Sequence, residues 1–332
     1  MITNGRTNLP SGPLHGTGGR HNWRDSTYLG AITIATLILL ALVITIGSAL
    51  IWQSLPAIRS LGVHYLTSPE WDDAAGKYGS AAFLSGTLYS SLLATLVSVP
   101  LSICSAIFLV EIAPKWIRLP VTFIIELLAA IPSVVYGLWG ICVLIPVLRD
   151  KVMAPALASP MITKIPLVKS LLTGAGYGPS VLAAGLLLAI MITPFITAIC
   201  RDILNSIPSM QRDAAAGMGC TQSVTIIKVV LPSAAPGLIG AVMLGFGRAF
   251  GETMAVTMVI GNMTPNTPDG KSFGLFDPGY TIASAMANKF TEATPGIATA
   301  ALIELGLVLF VTSMLINFIA RSLVKIAMHR LG

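Results

Sequence analysis

Residues 201–232 read RDILNSIPSMQRDAAAGMGCTQSVTIIKVVLP. The stretch begins polar, passes into small alanines after Asp213, breaks at Gly219 and turns amphipathic towards Pro232. Asp213-Ala214-Ala215 reads as a short helix whose small side chains permit close docking, and Gly219 offers a backbone break before the second segment. Such a helix can plug into a groove on another protein. Both flanks are long apolar runs, so the hairpin is a polar loop between two membrane spans.

Working outward, a bilayer core of about 30 Å takes about 20 helical residues, and only helices and closed barrels satisfy the backbone there. Apolar runs of that length place helices near 28–52, 83–111, 120–148, 178–200, 235–262 and 295–320. The composition agrees: 54% of the 332 residues are hydrophobic and 10% charged, with mean hydropathy +0.81. Soluble chains carry roughly a quarter charged residues. The fold class is therefore all-α, a polytopic membrane protein with about six transmembrane helices. A net charge of +6 on so apolar a chain gives no reason to expect nucleic acid. Cys104, Cys142, Cys200 and Cys220 show no CxxC spacing and the histidines are scattered, so no metal site is expected.

Residues 1–27, rich in Gly, Thr, Asn and Pro, read as a disordered cytoplasmic tail, followed by a retained signal anchor. With the amino terminus inside, the inner segments hold 11 Lys and Arg against 8 in the outer loops. The four basic residues between Arg149 and Pro179 run against the positive-inside rule.

Asp213-Ala214-Ala215, three residues, Gly219, nine residues, Val229, one residue and Leu231-Pro232 match the pattern EAA-x3-G-x9-I-x-LP. Asp213 stands for Glu and Val229 for Ile. The loop 201–234 thus resembles the coupling loop of ATP-binding cassette importer permeases. Two further runs, Glu126 to Gly140 (ELLAAIPSVVYGLWG) and Gly245 to Ala255 (GFGRAFGETMA), are similar to signature segments of permeases from the bacterial phosphate-specific transport system. Gly62 to Asp72 (GVHYLTSPEWD) resembles the first outer loop of one of that system's two permeases more than its sister's. The likeness extends over roughly 28–325. It implies a type I importer fold in a bacterial inner membrane. It also implies a heterodimer with a second related permease, a dimer of cytoplasmic ATP-binding subunits and an external phosphate-binding protein. ATP would be used by the partner ATPase, with no cofactor bound by this chain and no catalytic residue in it.

Charges inside spans need an explanation, since each costs at least about 2.5–3.5 kcal/mol at bilayer depth. Arg248 lies about 20 Å and Glu304 about 24 Å from the inner ends of their helices, depths at which they can meet. Glu252, at i,i+4 from Arg248, is an intrahelical alternative. Arg248 would offer a planar, permanently charged fork to phosphate oxygens, held ready by Glu252 or Glu304 until the anion displaces the acid. A fixed ion pair setting helix register is the plainer reading of the same residues. Glu126, nearer the inner face, suits a polar neighbour or the coupling region as well as substrate. Pro132 frees a backbone carbonyl, and Ser133 can back-bond into the gap, as a gate or a simple kink. Tyr136 and Trp139 read as packing or interfacial residues. Gly247 and Gly251 flank Arg248 as a small-xxx-small pair for close helix packing.

Asn266 to Ser272 (NTPDGKS) mimics the end of a phosphate-binding loop, but Pro265 replaces the first required glycine and no strand precedes it. Lys164 and Lys169 are candidates for attracting an anion to the outer face, and the outer loops 59–82 and 149–179 for contacting the binding protein. Two other readings remain at this stage. One is the sister permease or an importer of another oxyanion. The other is an ion-coupled secondary transporter with Glu126, Glu252 or Glu304 as a proton relay, although no inverted repeat is visible and a relay gives the 213–232 pattern no purpose.

Overall fold

The computed structural model describes residues 23–73, 75–158, 176–263 and 274–331. Residues 1–22 of the expected tail, Lys164, Lys169 and the 266–272 segment lie outside them. The described elements are helical: α1 (Trp23–Leu61), α2 (His64–Thr67), α3 (Ala81–Ile112), α4 (Lys115–Ala130), α5 (Ser133–Ala158) and α6 (Val181–Ser206). There follow α7 (Ser209–Gly217), α8 (Gln222–Phe250), α9 (Met254–Val259), α10 (Ile282–Lys289) and α11 (Ile297–Leu331). Five of these are long and apolar enough to cross a membrane, and a bent pair, α4 with α5, makes up to six.

The chain divides into two compact units. The first ends at Ala49 and, among the described residues, holds the amino-terminal part of α1. Helix begins at Trp23, inside the stretch read as tail. Thr33, Thr36 and Thr45 each donate to the carbonyl four residues back, which satisfies their hydroxyls within the helix. The second unit, from Leu50 onward, carries the remaining elements.

At the centre of the second unit α6 packs on α3. Lipid is as apolar as leucine, so helices associate through close packing of small residues rather than hydrophobic exclusion. Apart from Phe83, the buried residues of α3 over Ala81–Ile107 are small: Ala82, Gly86, Thr87, Ser90, Ser91, Ala94, Ser98, Ser102 and Ala106. A side chain at Gly185 on α6 would come within 2.5 Å of Leu93 Cδ2, and Ser102 donates across to the Thr193 carbonyl at 3.0 Å. Leu187, Met191, Ile192 and Ile196 of α6 fill the core around that contact.

Two of the spans are broken, the third at the kink expected from Pro132 and the fifth where an unbroken helix was expected. The third bends by 92° between α4 and α5. Pro132 has no N–H for the Leu128 carbonyl, and the Tyr136 hydroxyl donates to that carbonyl instead at 2.9 Å. Tyr136 therefore takes the part the sequence reading gave to Ser133. We expect Tyr136→Phe to cost about 1 kcal/mol, the value of one hydrogen bond, read as a lower melting temperature in detergent. The fifth span, expected to run unbroken over 235–262, ends as a helix at Phe250 and resumes at Met254.

Candidate translocation site and coupling hairpin

The two breaks adjoin. Gly137 on α5 lies so close to α9 that a side chain there would meet Met258 Sδ at 2.5 Å and Ala255 Cα at 3.2 Å. Arg248, in the last turn of α8, places its guanidinium 5.2 Å from the centre of the Phe195 ring on α6. An arginine over an aromatic face gains cation–π attraction while its edge remains free to donate. Arg248 is exposed and, among the described residues, joins no ion pair.

That corrects the expected partners of Arg248. The helix stops at Phe250, so Glu252 is not one turn further along the same helix. Its Oε1 accepts from the Ala255 amide at 3.3 Å, at the start of α9, where an acid complements the unpaired amides. Glu304 is 6% exposed within its own chain, and its Oε2 has no hydrogen-bond partner. Its neighbour is Tyr65, whose hydroxyl donates to Ala301 at 2.8 Å; burial first, and the Glu304 charge second, push that phenol above its ordinary range. The expected close approach at Gly247 is also absent, since a side chain there would meet nothing within 4 Å. Close packing of α8 falls instead at Gly245 against Ile196 and at Gly237 against Ile203. A cavity of ≈ 560 Å³ opens beside the break in span five, with Gly251 and Thr253 on one side and Met286 and Phe290 on the other.

Glu126 pairs with Arg201 at 2.8 Å, and the same guanidinium bonds Asp202 at 2.8 Å. These residues, with Arg118, line a separate cavity of ≈ 280 Å³ at the hairpin ends of α3, α4 and α6. Glu126 thus stands with the polar end of α6 and not beside Arg248.

The hairpin is α7, a turn and the start of α8. Gly219 adopts φ +81°, the left-handed region that favours glycine, and a side chain there would touch nothing within 4 Å. Ala215 is buried, while Asp213 and Ala214 face outward. Met210 and Met218, one turn on either side of Ala214, are 77% and 79% exposed and complete an adaptable apolar ridge. Leu231 packs on the main core, which seats the far arm of the hairpin in α8. On the inner side, Arg212 bonds Glu111 at the end of α3. Sequence reading missed this pair, along with Phe195 and Arg201. The only available signal was an acid and a base each standing at the polar end of a span.

Residues 98–331 match the family of binding-protein-dependent transport system inner membrane components. Over 297 residues the chain is 41% identical to the phosphate transport system permease protein PstC of Mesorhizobium japonicum, covering 90% of this chain and 89% of that one. The PstC of Pasteurella multocida is likewise 41% identical, over 302 residues, with 91% and 90% covered. The chain belongs to the PstC family of permeases. Its backbone also resembles a chain of the bacterial alginate ABC transporter crystallised with an alginate-bound periplasmic protein, with TM-score 0.57 and 14% identity over 90% of this chain and 95% of that one. At that identity the likeness concerns the fold, which is that of an ABC importer permease. The stretch that matches this family, residues 98–331, contains the hairpin, Arg248 and Glu304, whereas α1 precedes it.

Proposed function

We propose that this chain is one permease half of an ATP-driven importer of inorganic phosphate, with Arg248 as the anion contact and the 201–234 hairpin as the seat of a cytoplasmic ATPase. The observation that carries the reading is an arginine deep in a span, exposed, stacked on Phe195 and joined to no acid among the described residues. A guanidinium at that depth is costly unless an anion or water meets it, and phosphate oxygens fit its planar fork. Glu252 and Ser133 stand at the two breaks, the first at the start of α9 and the second at the start of α5, and flank that path. Glu126 and Glu304 serve other roles in this reading, the first steadying the end of α6 and the second buried under Tyr65.

The amino terminus is cytoplasmic, and a second related permease covers exposed apolar faces such as Trp116, Leu119 and Phe123 of α4. Closure of the ATPase pair on ATP moves the docked α7 and opens the path outward, where a phosphate-binding protein releases its cargo. ATP is consumed by that partner, and no cofactor resides in this chain. Met210, Asp213, Ala214 and Met218 form the face presented to the ATPase groove, with Ala215, Gly219, Leu231 and Pro232 holding its shape.

The test is uptake of labelled phosphate in proteoliposomes containing the permease pair, the ATPase and the binding protein. Uptake is expected to require internal ATP and to persist when the proton gradient is collapsed. Loss of uptake on collapsing the gradient, with ATP present, would sink the proposal in favour of a proton-coupled carrier.

A further inference from the structure

From α7, the Arg212 guanidinium reaches the ends of two other helices at once. Its Nε and Nη2 donate to Glu111 Oε1 at 3.1 and 2.8 Å, at the end of α3. Its Nη1 donates to the Ile207 carbonyl at 2.8 Å and Nη2 also to the Leu204 carbonyl at 2.9 Å, both at the end of α6. Arg212 itself belongs to α7, beside Asp213 of the docking face. From the other arm of the hairpin, Gln222 Nε2 donates to the Glu111 backbone carbonyl at 2.6 Å. The acid is well enclosed, with 10% of its side chain exposed against 23% for Arg212.

Each contact has a local reason. The last carbonyls of α6 have no helical donors, and a cation there complements the helix dipole. A carboxylate at the end of α3 is then needed to balance a half-buried guanidinium. Lysine cannot replace it, because a single ammonium does not present a planar fork to one carboxylate and two carbonyls together. α3 and α6 are also the two helices packed on each other at the centre of the second unit, joined by Ser102 and Thr193. Displacement of α7 therefore bears on that helix pair through Arg212 as well as through the chain connection at Ile207 and Pro208.

We infer that Glu111 and Arg212, with Gln222, form the joint that transmits movement of the docked hairpin to the α3–α6 pair, so that they are positioning residues for coupling and not for docking or substrate contact. This rests on the reading of the chain as an ATPase-driven permease, and the measurements separate the two. Docking is read by co-purification of the ATPase. Coupling is read by phosphate delivered per ATP hydrolysed in proteoliposomes with the binding protein.

R212K is expected to retain the ATPase at wild-type stoichiometry and to hydrolyse ATP, while delivering about tenfold less phosphate per ATP, within the usual range of coupling between sites. E111Q, which keeps an acceptor oxygen without its charge, is expected to lose less, about fivefold. Q222L should fall by a similar or smaller factor. An unchanged phosphate-to-ATP ratio in R212K overturns the joint, and so does an unchanged ratio in E111Q should R212K fail to assemble. A wild-type complex that shows no ATP-dependent uptake at all instead overturns the functional reading on which the joint rests.

Discussion

Arg248→Gln lowers phosphate uptake by about a hundredfold or more while the permease pair and its ATPase still assemble. The magnitude is that of removing one preorganised charged donor aimed at an anion. Glutamine has a shorter stem and keeps two amide protons but neither the charge nor the fork. Since Arg248 joins no ion pair among the described residues, its removal leaves no orphaned acid behind, and assembly should be spared. Arg248→Lys separates charge from shape: it keeps the attraction and loses the two-point contact, so uptake falls by about tenfold. Wild-type uptake in Arg248→Gln, at equal amounts of assembled complex, would refute the anion role and leave the residue as a packing partner of Phe195.

The second large effect is at Gly219. Because a side chain there meets open space, the whole cost of a substitution comes from its φ of +81°. A β-branched residue is strongly disfavoured in that region, at about 1–2 kcal/mol or more, and relieves the strain by reshaping the turn between α7 and α8. Gly219→Val should therefore lower co-purification of the ATPase by about tenfold, the equivalent of about 1.4 kcal/mol, with the chain still inserted in the membrane. Gly219→Asn, which tolerates the left-handed region, should retain most of it. Gly217 provides the control: it too faces open space, but its φ lies outside the left-handed region, so Gly217→Ala should leave association unchanged. Equal behaviour of the valine and asparagine variants would count against docking through this turn. Gly219→Asp tolerates the left-handed region much as asparagine does but adds a charge beside the docking face, and is expected to abolish association.

Much of the architecture was legible because hydrophobic length is a local property. An uncharged run of about 20 residues in lipid has one economical conformation, so the helices at Ala81–Ile112, Val181–Ser206 and Ile297–Ser322 lie where the runs predict them. The fifth span was less legible. The run from 235 to 262 is apolar enough to be one helix, and no proline marks the place where it stops. Its end at Phe250 is set by Gly251 and by Glu252, which finds a better partner in the Ala255 amide than in a bond across a continuous turn. For the same reason the spacing of Arg248 and Glu252 suggested an ion pair that the backbone does not allow. In the third span the bend could be read at Pro132, but the hydroxyl that heals it belongs to Tyr136, one turn beyond the residue that local rules favour.

By itself the sequence determined an all-α membrane chain, the position of the hairpin and the need for glycine at its turn, because helix length, burial in lipid and backbone sterics depend on neighbouring residues alone. Only the tertiary structure decided which charges meet. Arg212 and Glu111 stand 101 residues apart, and Arg201 and Glu126 stand 75 apart, yet each pair closes to 2.8 Å. Pairing over such distances follows from how α3, α4 and α6 pack, and no periodicity in the chain encodes it. Glu304 likewise does not meet Arg248, since the carboxyl is enclosed within the packed chain while Arg248 stands exposed on α8.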